Sequence, residues 1–226
     1  MALLAHYKLN GDPTDASGNG NHATATSITY GAGKLGNAAY FDEVNSFITL
    51  PMTYGSPLSF SFMGWFYCDG SANNAQRHLF DCGSGRTCLS WQRAALTVNL
   101  GLHDGGSWQS FGPTPALNEW HHVAFTLDAA TSKANCYVDG VQSGSELNYT
   151  PRALNTTIFL GRYFSYITSE FAGYMDDVRF YLGVANLRTI QLVYADGDGT
   201  ETAWPKWPVK TIVQDGKANI LGVIAK

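Results

Sequence analysis

The sequence predicts an all-β protein, a two-sheet antiparallel sandwich of jelly-roll type with one short helix and a C-terminal extension. Many short segments alternate apolar and polar residues, as strands with one buried face do. Turn-forming residues separate these segments at regular spacing, and helical spacing is confined to residues 186–194, where Leu187, Ile190 and Tyr194 share a face. A hydrophobic share of 45% and 24 glycines in 226 residues fit one well-cored β domain.

The clearest pair of strands lies in the middle of the chain. In residues 120–128, Trp120, His122 and Ala124 fall on one face, and an apolar set that includes Val123 falls on the other. A polar connection, residues 128–133, leads into a second strand that ends at a tight Asp-Gly reversal, residues 139–140. This segment is therefore predicted to be a β-hairpin.

The other strands are predicted on both sides of this hairpin. They cover residues 2–9, 23–30, 38–42, 46–50, 58–68, 79–82, 87–91, 95–102, 156–161 and 173–181. Residues 10–22 form a loop rich in side-chain oxygens, and residues 162–171 form an aromatic loop. The sandwich is expected to span residues 1–198, because Pro205 and Pro208 cannot lie within a sheet. Residues 199–226 are predicted to be a tail with a short hairpin turning at 215–216.

Charge and targeting signals limit the classes of function. The net charge is −4, and the Lys and Arg residues are scattered, which disfavours a nucleic-acid partner. No stretch reaches the length of a membrane span. The N-terminus lacks the basic region of a signal peptide, so synthesis in the cytoplasm without a secretion leader is expected.

The four cysteines, Cys68, Cys82, Cys88 and Cys136, lack the spacing of a zinc site. Buried reduced thiols are favoured over disulfides, since no signal peptide directs the chain to an oxidising compartment. A bridge between Cys82 and Cys88 that closes a hairpin is the alternative.

Six short motifs follow one another along the chain. They read YKLNGDPTDASGNGN at 7–21, GKLGNAAYFD at 33–42, FMGWF at 62–66, EWHHVA at 119–124, YVDG at 137–140 and GYMDDVRFY at 173–181. This order resembles that of laminin-G-like, concanavalin-A-like domains across residues 3–195, with Glu43 in place of the family's glycine. The resemblance implies a binding module for glycans or proteins.

Some members of this family carry a structural calcium ion, and the loop at 10–22 has suitable oxygen ligands. The expected ligands are Asp12, Asp15, Asn19 and Asp176. Asp176 alternates with Val178 and Phe180, so we expect it on the core-facing side, with Asp177 pointing away. The alternative is that Asp15 satisfies its own turn and Asp176 accepts amides from the same loop.

Glycan hydrolysis, which the fold also supports in some members, is disfavoured. Family hydrolases carry paired carboxylates in the pattern Glu-x-Asp-x-x-Glu, and retaining chemistry needs two acids about 5 Å apart. The pattern is absent around all five glutamates, Glu43, Glu119, Glu146, Glu170 and Glu201. His121 and His122 are adjacent in a strand and face opposite ways, so they cannot chelate one ion together. The sequence therefore predicts that the protein is not an enzyme.

Loop aromatics are the candidate glycan-binding or partner-binding residues, because sugar rings stack on flat side chains. They are Trp108, Tyr163, Phe164 and Tyr166. Each could equally cover a neighbouring loop or contact another subunit. Trp65 and Trp120 are assigned to the core.

The tail suggests that the domain is one subunit of a larger protein assembly. Its predicted attachment residues are Trp204, Trp207, Ile212 and Ile220, which expose more apolar surface than a segment of that length can hide. Cytoplasmic synthesis, a fold typical of extracellular proteins and an apolar tail together suggest a virion component, such as a phage capsid decoration, fibre or tail protein. In that case the tail would dock on another virion subunit or on a second copy of the chain. The alternative is a carbohydrate-binding or adhesion module of a bacterial extracellular protein.

Overall fold

The computed structural model describes residues 1–52, 54–70, 76–82, 87–93, 98–104, 106, 108–154, 157–164, 170–201, 212–214 and 217–219. The strands are β1 (Ala2–Tyr7), β2 (Thr24–Thr26), β3 (Thr29–Ala32), β4 (Asn37–Asp42), β5 (Phe47–Leu50), β6 (Tyr54–Pro57), β7 (Phe60–Cys68), β8 (Gln76–Cys82), β9 (Cys88–Arg93), β10 (Val98–His103), β11 (Trp108–Pro113), β12 (Trp120–Asp128), β13 (Lys133–Val138), β14 (Val141–Asn148), β15 (Ala153–Leu154), β16 (Ile158–Leu160), β17 (Ala172–Leu182), β18 (Ile212–Gln214) and β19 (Lys217–Asn219). Helix α1 (Leu187–Tyr194) follows β17 and leads into a 3-10 turn, Ala195–Gly197.

Two antiparallel sheets form a sandwich, which confirms the predicted fold class. The eight-stranded sheet has the order β14-β13-β12-β7-β17-β4-β3, and β1 also pairs with β17. The seven-stranded sheet has the order β11-β10-β9-β8-β16-β5-β2. The face of each sheet that is turned away from the other sheet is called its outer face below.

Aromatic side chains from both sheets fill the space between them. Phe60 and Phe180 of the eight-stranded sheet stack with ring centroids 5.1 Å apart. Phe80 of the seven-stranded sheet lies 5.4 Å from Phe62. All four side chains are buried, so the core is continuous across the sandwich.

Helix α1 covers part of the outer face of the eight-stranded sheet, at the position predicted for a helix. Its Ile190 and Val193 pack on Met63, Ala124 and Tyr181 in a second, smaller apolar cluster. The side chain of Asn186 caps the helix by accepting the amide N–H of Thr189 at 2.9 Å. No helix among the described residues has the length and apolar character needed to cross a membrane.

The predicted strand at residues 23–30 is in fact two strands in different sheets. β2 pairs with β5 in the seven-stranded sheet, and β3 pairs with β4 in the eight-stranded sheet. Ser27 lies between them with a positive φ of 51°. The chain therefore turns at Ser27 and crosses from one sheet to the other, which the alternation of residues could not show.

The two sheets approach each other closely at β11 and β14. Gly144 lies in a bulge of β14 with a φ of +64°, and a Cβ atom there would be 1.1 Å from the carbonyl oxygen of Phe111. Only a residue without a Cβ allows this approach.

A bulge also interrupts β17 at Asp177, which has a φ of 49°. Asp176 pairs with Trp65, while Val178 and Phe180 belong to the central core. Trp65 packs on Tyr194 of α1, so its face of the sheet is the outer one. The prediction that Asp176 lies on the core-facing side with Val178 and Phe180 is therefore wrong, because the extra residue reverses the alternation.

The bulge places a charged group beneath the segment that follows α1. The side chains of His6, Asp177 and Arg179 are fully buried. Asp177 contacts the imidazole Nε2 of His6 at 2.5 Å and accepts two hydrogen bonds from Arg179 at 3.1 Å. We refer to these three residues as the buried ion cluster.

Residues 195–201 form a strap that is fastened to the sandwich. Arg179 of the buried ion cluster donates to the carbonyl oxygen of Thr200. Glu201 pairs with Lys8 at 3.2 Å and accepts a hydrogen bond from Asn10. Contacts with the sandwich thus continue past the boundary expected at residue 198, as far as Glu201.

Three of the cysteines are buried, as predicted. Cys68, Cys82 and Cys136 are not in disulfides, so Cys82 does not bridge to Cys88. Burial raises the pKa of the Cys82 thiol to about 11, which keeps it protonated at neutral pH.

Candidate functional site

The loop at 10–22 folds around the carboxylate of Asp15. One oxygen accepts the amide N–H groups of His6 and Ser17 at 2.9 and 2.8 Å. The other accepts the Ser17 hydroxyl at 2.8 Å and the Asn21 amide at 3.0 Å. Partial burial alone would raise the pKa of Asp15, but these donors outweigh it and lower the pKa.

The other expected calcium ligands also have protein partners. Asp12 is exposed and accepts the amide of Thr14 at 2.8 Å. Asn19 donates to the carbonyl oxygens of Leu3 and Leu4, at 2.9 and 3.1 Å.

Asp176 accepts the amide of Leu35 at 2.7 Å, in the turn between β3 and β4 and not in the 10–22 loop. The turn packs tightly over this carboxylate, since a Cβ on Gly33 would lie 2.6 Å from its Oδ2.

The contacts of Asp15 do not fit those of a calcium ligand, whereas Asp176 Oδ1 is buried with no hydrogen-bond partner among the described residues. Both oxygens of Asp15 already accept two donors each, whereas a calcium ligand must turn its oxygen lone pairs to the ion. Within the part of the chain that the structure describes, no three His, Cys, Asp or Glu side chains form a group that could hold a metal. Calcium binding stays an untested prediction from the sequence, and the hydrogen bonds of Asp15 favour the self-satisfied turn instead.

Asp176 should make stability depend on pH. Burial raises its pKa to about 7, although the Leu35 amide lowers it, and Asp177 raises it further. The folded protein therefore binds a proton that the unfolded chain releases between about pH 4 and 7. The charged carboxylate costs stability above that range, and the cost disappears as the pH falls through it.

We expect Asp176→Asn to be more stable than the wild type at pH 8 and to lose this part of the pH dependence. Asparagine keeps an oxygen for the Leu35 amide but carries no charge. Urea unfolding at pH 5 and pH 8 measures the effect, with the exposed Asp12→Asn as the matched control. Parallel pH profiles for Asp176→Asn and the wild type would show that this carboxyl titrates normally.

Two of the predicted loop aromatics meet on the outer face of the seven-stranded sheet. The ring of His78 lies 5.8 Å from that of Trp108 and 4.9 Å from that of Tyr163. His103, opposite Trp108 in the β10–β11 ladder, adds a ring 5.1 Å from the indole. Trp108 and Tyr163 are both partly exposed. We call His78, Trp108 and Tyr163 the histidine site.

The imidazole at the centre of this site is buried and, among the described residues, has no hydrogen-bond partner. Only 1% of His78 is exposed, and both ring nitrogens are unsatisfied. Burial, assisted by His103, lowers the pKa of His78 to about 3, so the ring is neutral and offers one donor and one acceptor. Ser90 faces His78 across β8 and β9, and its hydroxyl is likewise unsatisfied by the described residues. Buried polar groups of this kind are normally satisfied, which marks the position as one suited to a ligand.

A cation lies on the same outer face, beside the histidine site. The guanidinium of Arg162 stacks over Phe47 at 4.5 Å and over Phe159 at 5.2 Å. Phe164, the third predicted aromatic, is 44% exposed and lies 6.3 Å from Phe159. Tyr166, the fourth predicted aromatic, lies outside the described residues. The same is true of three predicted attachment residues of the tail, Trp204, Trp207 and Ile220. The fourth, Ile212, is in β18, but its side chain is not described.

The two tryptophans that the sequence assigns to the core differ in their exposure. Trp65 is buried, as predicted, but Trp120 is partly exposed on the outer face of the eight-stranded sheet, so its assignment to the core is wrong. His78 was not predicted as a site residue. Its only local signal was a histidine in a strand-like segment, because Trp108 and Tyr163 reach it through pairing between distant strands.

Two of the glutamates lie in different environments. The Glu119 side chain is 68% exposed, and Glu170 is buried with its pKa raised by desolvation. His121 pairs with Asp139 at 2.7 Å, and His122 packs on Trp65 on the outer face. The absence of enzymatic activity stays a prediction.

A family model matches residues 41–191, and its description is the concanavalin A-like lectin/glucanases superfamily. The chain belongs to this superfamily. Most of the sandwich falls within the match, from β4 to α1, so the family resemblance read from the motifs is confirmed. No curated protein sequence matches the chain.

Solved structures with this superfamily's fold include several binding domains. Domain 4 of the extracellular arabinanase AbnA from Geobacillus stearothermophilus, in complex with arabinotriose, is 22% identical with a TM-score of 0.66, over 84% of this chain and 97% of that one. The binding domain of Paraclostridial Mosquitocidal Protein 1 is 14% identical with a TM-score of 0.68, over 85% and 52% of the two chains.

The botulinum neurotoxin serotype D ligand-binding domain in complex with N-acetylneuraminic acid is 12% identical with a TM-score of 0.67, over 86% and 50%. The chain thus spans about half the length of the two toxin binding domains. At these identities the likeness shows the fold alone, a lectin-like fold that occurs in binding domains.

Proposed function

We propose that this protein is a non-enzymatic carbohydrate-binding module whose ligand binds at the histidine site. The supporting observation is the buried imidazole of His78, left without a hydrogen bond by the described residues, between the partly exposed rings of Trp108 and Tyr163. A neutral imidazole can donate a hydrogen bond to a sugar hydroxyl or accept one from it. The two aromatic rings can pack on the apolar faces of the sugar. Complexes of similarly folded domains with arabinotriose and with N-acetylneuraminic acid are consistent with this function.

Removal of the Trp108 indole should abolish most of the glycan binding at the histidine site. A glycan array with the full chain identifies a ligand, and calorimetry compares the wild type with Trp108→Ala and Tyr163→Ala. We expect each variant to bind at least about tenfold more weakly, which corresponds to about 1.4 kcal/mol. Val141→Ala, a substitution of a valine that is 68% exposed on β14, is the matched control.

Two results would contradict the proposal. One is a glycan ligand whose affinity does not change in Trp108→Ala or Tyr163→Ala while both variants keep the wild-type melting temperature. The other is release of sugars from the ligand that stops when a single glutamate is replaced.

We also propose that the tail, residues 199–226, attaches the domain to another protein chain, with a virion subunit as the favoured partner. The pairing of β18 with β19 supports this proposal, since Val213 and Ala218 are register partners in a hairpin outside the two main sheets. Protection of residues 204–226 from protease by a purified candidate partner is expected. Cleavage at the same rate with and without every candidate would reject it.

A further inference from the structure

Four aromatic side chains form a row on the outer face of the eight-stranded sheet. Trp120, Tyr67, Tyr174 and Tyr40 are direct register partners across β12, β7, β17 and β4. Neighbouring ring centroids along this row are 5.8, 6.0 and 4.9 Å apart. The centroids of Trp120 and Tyr174 are also only 6.3 Å apart, so the rings of Trp120, Tyr67 and Tyr174 form a cluster that Tyr40 extends to one side. We call these four residues the aromatic row.

The aromatic row lies on the part of the outer face that α1 does not cover. The helix packs on Met63 and Ala124, farther along the same two strands, and those side chains are fully buried. All four side chains of the aromatic row are instead partly exposed. The core is filled from the opposite side of these strands by residues such as Phe66 and Met175. Packing of the core therefore does not account for four large aromatic residues at these positions.

The surroundings of the row are acidic. Burial raises the pKa of the Tyr40 hydroxyl above its ordinary value, and the nearby carboxylates of Asp69, Asp42 and Glu43 raise it further. At the other end of the row, Glu119 precedes Trp120 and is largely exposed. Carboxylates accept hydrogen bonds from sugar hydroxyls but repel phosphate, sulfate and carboxylate groups. The charge thus disfavours nucleic acids, anionic lipids and acidic sugars.

The hydrogen-bonding groups of the row fit the same ligand class. Each phenol hydroxyl can both donate and accept, and the indole N–H of Trp120 can donate. Their rings offer apolar surface for the C–H faces of sugar rings. Gly31 of β3 leaves the Tyr174 ring uncovered at one side, because a Cβ there would lie 3.6 Å from the ring.

We propose that the aromatic row is a second glycan-binding site, which takes an uncharged oligosaccharide lying across four strands of the eight-stranded sheet. The site is separate from the histidine site, since the two lie on the outer faces of different sheets. It does not depend on the proposed function of the histidine site, and either site can fail without the other.

The test uses the full chain and a panel of neutral hexasaccharides, namely cellohexaose, xylohexaose, mannohexaose and arabinohexaose, with oligogalacturonate as the charged comparison. Binding is followed by calorimetry. Trp120→Ala is expected to weaken binding of a neutral hexasaccharide at least tenfold, while Val141→Ala, at an exposed position of β14, leaves it unchanged.

Gly31 provides a variant that keeps every aromatic ring. Its φ is not in the left-handed region, and a Cβ there meets the Tyr174 ring at an ordinary contact distance, so Gly31→Gln should fold and cover the ring. Gly31→Ala is the matched control and should bind with an affinity within about twofold of the wild type. Gly31→Gln should weaken binding at least tenfold.

Four results would overturn the proposal. The first is no binding of any neutral hexasaccharide at millimolar concentration. The second is binding that neither Gly31→Gln nor a folded Trp120→Ala weakens. The third is preferential binding of oligogalacturonate, which the acidic surroundings exclude. Loss of hexasaccharide binding in Trp108→Ala alone would assign the ligand to the histidine site and likewise reject the aromatic row.

Discussion

Asp177→Asn is expected to lower the free energy of unfolding by about 3–5 kcal/mol, the range found when one partner of a buried ion pair is removed. The carboxylate of Asp177 is fully buried and is shared by Arg179 and His6. Without this charge, the acceptor that the described residues still offer to the buried guanidinium of Arg179 is the neutral carbonyl of Thr200. Asparagine suits the test because it tolerates the positive φ of 49° at this position.

Denaturant unfolding measures this effect as a lower midpoint at an unchanged slope. The control is Glu146→Gln, which breaks the ion pair with Lys133 at 3.3 Å, where the two side chains are 39% and 46% exposed. A surface pair of this kind contributes at most about 1 kcal/mol. Equal midpoints for Asp177→Asn and Glu146→Gln would show that the buried ion cluster does not need its negative charge.

Gly144→Ala should destabilise the protein by more than about 3 kcal/mol, beyond the range of most single substitutions. The left-handed backbone of Gly144 disfavours any side chain by about 1–2 kcal/mol. The larger effect comes from the Phe111 carbonyl, which occupies the place of the new Cβ at 1.1 Å. Either β14 or β11 must move, and the contact between the two sheets at this edge opens.

Gly18→Ala separates the two contributions. Gly18 also has a positive φ, +87°, but nothing lies within 4 Å of the position that a new Cβ would take. It should therefore show only the backbone effect, about 1–2 kcal/mol. Thermal or urea unfolding of both variants gives the difference. If the two variants lost the same stability, the close approach of β14 to β11 would have no energetic importance.

Alternation along single strands predicted much of this fold. The hairpin of β12 and β13, the crossing of the core by β7 and the position of α1 all follow from periods of two or 3.6 residues. The same period placed Trp120 and Val123 on opposite faces of β12, yet Trp120 was wrongly assigned to the core. It could not show that α1 covers Ala124 but leaves Trp120 partly exposed, because that depends on where the chain goes after β17.

The failures have local physical causes. One extra residue at Asp177 reversed the face of Asp176, and two successive aspartates give no sign of a bulge. A single positive φ at Ser27 moved the chain to the other sheet. The candidate site was found in part, since Trp108 and Tyr163 were predicted as ligand-binding aromatics, although Trp108 is the first residue of β11 and does not lie in a loop. His78 was missed because its neighbours come from β11 and from the segment after β16.

The strap also determines how the domain would carry mechanical load. Tension that reaches the strap at Glu201 acts on the contacts of Glu201 with Lys8 and Asn10 and on the hydrogen bond from Arg179 to Thr200. These contacts lie on β17 and on the loop that follows β1, so the force enters the eight-stranded sheet before it reaches α1. The helix is shielded from tension until the strap yields. A ligand held on the sandwich would thus be linked to the strap through the eight-stranded sheet.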